Sequence, residues 1–337
     1  MRYMVTGANG FVGRHLTHML LEQGHTVHAL VRGQVSHSGI RHAQYVPFTG
    51  DICHPQSILP AVAGCDGIFH TAAYAKPWAK DASLYHRVNV EGTQHVLDAA
   101  VQAGIQKVVC TSSAGIFGIS NGTPVNESSV RTAPYYNAYE RSKAAADQLA
   151  FTYAASGPEV VIVAPTRIFG PAPIHTLQAV NIMIFQYLFN GWRFIPGKGS
   201  QIANYIYVTD VTAGLMAAMQ HGKNGEYYIL GGDNYSIQSF FEILSRVSGI
   251  HKRMIHIPEW MMRVIARIEL YKPYWGGTPT FTPDWLHKAI SNWETDTGKA
   301  RRALHLSPMD LQSGLILTVD NFRQQFAAVS DARVKHT

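Results

Sequence analysis

Thr6-Gly7-Ala8-Asn9-Gly10-Phe11-Val12-Gly13 follows the apolar run of residues 2–6 and precedes an amphipathic stretch over residues 11–23. A glycine motif acquires meaning in that strand–turn–helix setting. Glycine lets the backbone turn tightly and approach a pyrophosphate closely. The helix N-terminus behind it offers free N–H groups and the positive end of a dipole. Gly7, Asn9, Gly10, Phe11, Val12 and Gly13 are therefore candidate dinucleotide-binding residues. The alternative is an ordinary tight strand-to-helix turn.

Working outward, short β-branched runs alternate with helical stretches. Strands are expected at residues 2–6, 26–30, 44–46, 67–70, 107–111 and 160–164, and helices at 11–23, 57–62, 84–103 and 139–155. Gly104 is the expected stop for the helix over 84–103. This order predicts an α/β fold, a doubly wound parallel sheet covered by helices on both faces. After Pro165 the rhythm breaks at Gly170-Pro171-Ala172-Pro173. Residues 1–165 and about 205–230 are expected to form the nucleotide-binding domain, with residues 205–211 returning to the sheet. Residues 166–204 and 231–330 would form a smaller mixed α/β substrate lobe, and 331–337 a polar, frayed tail.

The chain has 337 residues, of which 46% are hydrophobic and 15% charged, which fits a globular protein with a substantial core. No apolar run approaches the roughly 20 residues of a membrane-spanning helix. Residues 1–6 lack the apolar segment of an export signal, so the expected compartment is the cytoplasm. Cys53, Cys65 and Cys110 form no disulfide framework. The net charge of +6 is spread without a basic–aromatic cluster, so no nucleic acid is expected. No metal-binding spacing is found among the 17 histidines, so no metal is expected.

The second strand ends Ala29-Leu30-Val31-Arg32-Gly33. A carboxylate there would bind the ribose 2′-hydroxyl of NAD and repel a 2′-phosphate. None is present, and Arg32 suits a phosphate, so NADP(H) is favoured and NAD(H) remains open. Arg32 as a plain surface charge is the alternative, and Arg41 is a second candidate. Tyr139-Glu140-Arg141-Ser142-Lys143 places a phenol and an ammonium at i and i+4 on one helix face. A neighbouring ammonium and a positive nicotinamide are expected to lower the phenol from its ordinary value near 10.

These motifs resemble the extended short-chain dehydrogenases/reductases of the NAD-dependent epimerase/dehydratase superfamily. The glycine spacing Gly-x-x-Gly-x-x-Gly is similar to theirs. The resemblance implies a Rossmann fold and makes Tyr139 and Lys143 catalytic, with Lys143 also holding the nicotinamide ribose. Gly50-Asp51-Ile52 resembles the adenine-holding triplet, and Ala72 and Ala73 lie where small residues admit the cofactor. Residues 109–118 resemble the Ser-Ser-x-x-Val-Tyr-Gly segment, whose last serine is catalytic. That serine is Ser113, with Ser112 the nearby alternative and Phe117 where tyrosine is usual. Asn89-Val90-Glu91-Gly92-Thr93 is similar to a helix whose asparagine is mainly structural. Pro165-Thr166-Arg167-Ile168-Phe169-Gly170-Pro171 resembles the segment flanking the nicotinamide, with Ala164 in place of the usual arginine. The likeness covers about residues 1–230.

Within the family, Arg32 and the Pro165-Thr166 pair resemble the dihydroflavonol-reductase and 3β-hydroxysteroid-dehydrogenase branches. They imply hydride transfer with a carbonyl or secondary alcohol of a small ring-bearing or lipid-like substrate. Nucleotide-sugar epimerases or dehydratases with tightly held NAD are the alternative, and a non-catalytic dinucleotide sensor is a second. The aromatics Tyr187, Phe189, Trp192, Phe194, Trp260, Tyr271, Tyr274 and Trp275 are expected mostly to pack within the second lobe. Residues 258–267 have the pattern of a basic amphipathic helix. Such a helix more often packs on its own protein, so membrane contact is not expected. A homodimer is possible in this family.

Overall fold

The computed structural model describes residues 1–33, 39–177, 179–279 and 281–334. The first half contains β1 (Arg2–Thr6), α1 (Phe11–Glu22), β2 (Thr26–Val31), β3 (Tyr45–Thr49), α2 (Leu59–Val62), β4 (Gly67–His70) and α3 (Ser83–His86). It continues with α4 (Gly92–Gln102), β5 (Lys107–Thr111), α5 (Ala138–Ala154) and β6 (Glu159–Pro165). Then come β7 (Arg167–Phe169), α6 (Ala179–Phe189), β8 (Phe194–Pro196), β9 (Ile202–Tyr207), α7 (Val208–His221) and β10 (Glu226–Leu230). The chain closes with β11 (Asn234–Ser236), α8 (Ile237–Ser248), β12 (Ile255–Ile257), α9 (Glu259–Glu269), α10 (Pro283–Ile290), α11 (Gly298–Ala303) and α12 (Leu311–Val334).

Seven strands form one parallel sheet in the order β10-β6-β5-β4-β1-β2-β3. Its central strands are buried along almost their whole length, which explains their unbroken Val/Ile runs: both faces are covered by helices. One cluster beneath α1 and α7 gathers Leu16, Leu20, Val27 and Leu215, and another beneath α2, α4 and α5 gathers Ile58, Val96, Leu97 and Ile162. The direction of winding reverses between β1 and β4, and at such a switch point a crevice opens beyond the carboxyl ends of the strands. This is the expected Rossmann architecture.

A second body is built from the three-stranded sheet β11-β9-β7, the β8–β12 pair and the C-terminal helices. Its core holds Phe169, Tyr187, Tyr205, Phe240 and Phe322. Residues 205–207, read from the sequence as a return to the main sheet, instead lie in β9 of this smaller sheet. The strand that rejoins the large sheet is β10, pairing Leu230 with Pro165. Both segments are short apolar runs, and only long-range pairing separates them.

The expected helix over 84–103 is interrupted by a π-helical turn, Arg87–Glu91, that turns Asn89 fully inward. Gly104 stops α4 in the left-handed region, at φ +67°. Of the tail expected at 331–337, residues 331–334 continue α12 and 335–337 lie outside the described residues. The lobe aromatics divide. Tyr187 is core, whereas Trp260, Tyr271, Tyr274 and Trp275 are exposed.

Candidate active site

The glycine turn is held against the end of β4. A Cβ on Gly7, whose φ is +69°, would lie 2.8 Å from the Ala72 backbone. A Cβ on Gly13 would lie 2.2 Å from the Gly7 carbonyl oxygen. Gly10 N–H donates to that same oxygen at 2.8 Å, closing the turn. Gly10 caps α1 without any side chain on the first N–H groups, which leaves them for an anion. Asn9 and Gly10 are exposed, and Phe11 and Val12 half-buried. This backbone cradle fits a dinucleotide pyrophosphate.

Around the cradle, Ala72 N–H donates to Thr6 Oγ1 at 3.2 Å, and Ala73 is exposed beyond it. Arg32 stands exposed one residue past β2, next to β1 in the sheet. Asp51 accepts the Cys53 N–H at 2.9 Å, as a turn aspartate does. Ile52 is buried, packed so closely on Gly92 that a Cβ there would lie 2.7 Å from Ile52 Cδ1. Pro165 is buried at the end of β6.

The second half of the site is set by α5. Asn137 caps it, its Oδ1 accepting the Glu140 N–H at 2.8 Å, so the helix starts immediately before Tyr139. Tyr139, Lys143 and Asp147 then follow at intervals of four on one face. Ser113 lies close enough to Tyr139 to act on its phenol, and itself caps the 3-10 turn Ala114–Phe117 by accepting the Gly115 N–H at 3.2 Å. Ser112 points elsewhere, donating a short hydrogen bond to Asp147 Oδ2, to which Tyr227 also donates at 3.3 Å.

Burial dominates the electrostatics. It pushes the Tyr139 phenol up to about 12, helped by the Asp147 and Glu140 carboxylates and opposed by Ser113. This is opposite to the lowering expected from the sequence. The physical reason is that Lys143, only 3% exposed, faces Asp147, 2% exposed, and its own ammonium is disfavoured by burial. Burial lifts Asp147 to about 6, with Lys143 and its two hydrogen bonds opposing. His70 is pushed down to about 3 by burial and by the Lys143 charge. Its neutral ring joins Thr6 Oγ1 at 2.8 Å to Thr93 Oγ1 at 3.0 Å.

The profile of the family described as NAD dependent epimerase/dehydratase matches residues 3–231. The chain belongs to this family. A Synechocystis protein provisionally named dihydroflavonol 4-reductase is 33% identical over 95% of this chain and 94% of its own length. The sterol-4-alpha-carboxylate 3-dehydrogenase (decarboxylating) of Mus musculus is 30% identical over 83% of this chain and 79% of its own. The UDP-glucose 4-epimerase of Thermotoga maritima shares the fold, with a TM-score of 0.79 over 97% of this chain and all of that one, at 21% identity. This member of the family is thus an NAD(P)-dependent oxidoreductase of the extended short-chain dehydrogenase/reductase type, similar to the dihydroflavonol-reductase and 3β-hydroxysteroid-dehydrogenase branches.

Several residues of the oxidoreductase site escaped sequence reading. Asp147 had a signal, since Tyr139-x-x-x-Lys143-x-x-x-Asp147 extends the helical spacing by one turn. The fully buried Glu140 had none. It pairs with Arg131 at 3.1 Å and with Lys288 of α10 at 3.6 Å, partners far apart in the chain. Arg131 Nη1 also donates to the Gly115 carbonyl at 2.7 Å, tying this charge cluster to the turn behind Ser113. Asn89 accepts the Tyr74 N–H at 2.7 Å and donates to Ser142 Oγ at 2.9 Å, clamping α5 to the segment after β4.

Proposed function

We propose that the protein is an NADP-dependent reductase or dehydrogenase acting on the carbonyl or secondary alcohol of a ring-bearing or lipid-like substrate. The observation that carries this is the placement of Ser113 beside Tyr139, which shares one face of α5 with Lys143. The bound nicotinamide supplies the ring that exchanges hydride and, when oxidised, a positive charge. The backbone at Gly7, Gly10 and Gly13 holds the pyrophosphate, and Ala72, Ala73 and Pro165 leave room for the rest. Asp51 and Ile52 border the adenine end.

In the reducing direction Tyr139 donates its phenolic proton to the substrate oxygen. A phenol held near 12 keeps that proton throughout the physiological range. Ser113 donates a second hydrogen bond to the same oxygen as it gains charge. Lys143 steadies the phenolate left behind and holds the ribose hydroxyls, with Asp147 keeping the ammonium charged.

Arg32 supports NADP(H). A charge-assisted hydrogen bond from it to the 2′-phosphate contributes about 1.5 kcal/mol, roughly tenfold in affinity. The substrate class rests on the relatives named for dihydroflavonol and sterol-carboxylate substrates and on Ala164, where the family usually has arginine. The deciding experiment is titration of the protein and of Arg32→Asp with NADPH and NADH, followed by a screen of aromatic and lipid-like ketones. NADPH preference that the variant loses supports the proposal. Tight NAD(H) binding indifferent to Arg32 overturns the NADP assignment and favours an epimerase. On a substrate from the screen, Tyr139→Phe is expected to lower kcat about 10²- to 10⁴-fold while NADPH affinity holds.

A further inference from the structure

Close to the Ser113 hydroxyl stands an ammonium that the fold leaves without a hydrogen bond. A Cβ placed on Gly115 would lie 3.4 Å from Ser113 Oγ, 3.4 Å from Lys288 Nζ and 3.5 Å from Glu140 Oε1. Those are ordinary van der Waals separations, so a methyl-sized space stays open among the three groups. They also place Nζ and Oγ at most twice 3.4 Å apart. The Lys288 side chain is only 18% exposed. The carboxylate oxygen it faces, Glu140 Oε1, is 3.6 Å away, beyond hydrogen-bond distance, and that oxygen has no hydrogen-bond partner either. The Trp293 and Trp285 ring centroids stand 5.2 and 5.5 Å from Nζ. An ammonium has three N–H donors. Among the described residues, none of those of Lys288 has an acceptor within reach.

The charge around it does not balance. Glu140 is one carboxylate against two cations, Arg131 at 3.1 Å and Lys288. Arg167 is a third cation. It donates to the Lys288 backbone carbonyl at 3.3 Å and forms no ion pair among the described residues, and its charge, like that of Arg131, disfavours the Lys288 ammonium. The other nearby carboxylate, Asp284, is exposed one turn earlier on α10, and the Arg141 charge steadies its ionised form. Arg131 thus neutralises Glu140, and Lys288 and Arg167 have no anion of their own. Cations withdrawn from water this far are unfavourable unless something completes them.

We propose that Lys288, backed by Arg167, is a specificity-determining residue that binds a carboxylate carried by the substrate, which makes the substrates hydroxy or oxo acids. This rests on the oxidoreductase reading of Ser113 and Tyr139 and deepens it. A reacting oxygen on Ser113 and a carboxylate oxygen on Lys288, each at about 2.8 Å, are bridged by a short chain. The acid group then sits on the carbon next to the reacting one or on the carbon after that. It accepts the free N–H groups of Lys288 and brings the negative charge that the cluster lacks. The diphosphate of a nucleotide sugar would instead stand a whole sugar ring away from the reacting carbon.

The test is calorimetric titration of the full chain, saturated with its reduced cofactor, NADPH or NADH. The probes are 2-hydroxycyclohexane-1-carboxylate, 3-hydroxycyclohexane-1-carboxylate and their methyl esters. Reduced cofactor keeps a hydroxy acid from reacting, so binding is read apart from hydride transfer. Wild type is expected to bind at least one acid about tenfold or more tightly than its ester. Lys288→Met should remove that gap by weakening the acid and not the ester. It should stay folded, because Arg131 still neutralises Glu140. Lys288→Gln, which keeps a donor without the charge, is the second variant and should lose the gap as well. Acids that bind no better than their esters, or not at all, overturn the proposal, as does a preference that survives both variants. Lys288-dependent binding of UDP-glucose without binding of the acids also overturns it and assigns the cation to a diphosphate. Lys288-dependent binding of an acid that never reduces the oxidised cofactor upholds the carboxylate site and counts against the oxidoreductase reading alone.

Discussion

His70 and Asp147 both sit in the dry interior and both feel the Lys143 charge, yet they titrate in opposite senses. His70 is held at about 3, below its ordinary 6.5. The unfolded chain therefore takes up its proton first. The stability this group contributes is complete above pH 6.5 and is lost as pH falls towards 3. Asp147 is raised to about 6 from 3.8. Its contribution is complete below pH 3.8 and is lost as pH rises to 6. Each slope is at most about 1.4 kcal/mol per pH unit, so between pH 4 and 6 the two largely cancel. Urea unfolding should uncover them separately. His70→Asn should make the protein less stable as pH rises from 4 to 6, and Asp147→Asn less stable as pH falls over the same range. Parallel curves for wild type and both variants would show that neither group titrates as its burial requires.

At the scale of elements, the site depends on how α5 is held. Three segments converge on Glu140: its own helix, the loop just before it that bears Arg131, and the distant α10 bearing Lys288. The Glu140 side chain is fully buried, that of Arg131 nearly so, and that of Lys288 partly. Removing the one anion strands two cations, whereas removing Lys288 leaves the shorter Arg131–Glu140 pair. Glu140→Gln is expected to cost about 3 kcal/mol, and Lys288→Met clearly less. Equilibrium denaturation of the two variants checks the order, which reverses if Lys288 rather than Arg131 neutralises Glu140. The same cluster explains why α10, which no sequence motif links to Tyr139, abuts α5.

Across the whole molecule, stability is uneven. The parallel sheet is enclosed on both faces by two extensive clusters, while α9 and α10 share a small one built on Met262, Ala266 and Leu286. Amide hydrogen exchange should therefore be slowest in β1, β4, β5 and β6 and distinctly faster over α9, α10 and the turn between them. Equal protection in both regions would contradict this ranking.

The sequence by itself determined the parallel sheet and the nucleotide end of the site. Those features are local: Thr6 to Gly13 is one strand–turn–helix unit, and Tyr139 and Lys143 share a helix face through spacing alone. The second body was legible only as a break in rhythm, because β9 and β10 are alike as apolar runs and differ only in the partners they find. Tertiary structure decided the rest. It set Ser112 and Ser113 in different surroundings, since one meets Asp147 and the other lies beside Tyr139. It raised the Tyr139 phenol rather than lowering it, since burial outweighs an ammonium that already faces a carboxylate. It brought Lys288 to Glu140 and left Trp260 of α9 exposed. Burial and long-range charge contact are properties of the packed chain, and neighbours along the sequence do not encode them.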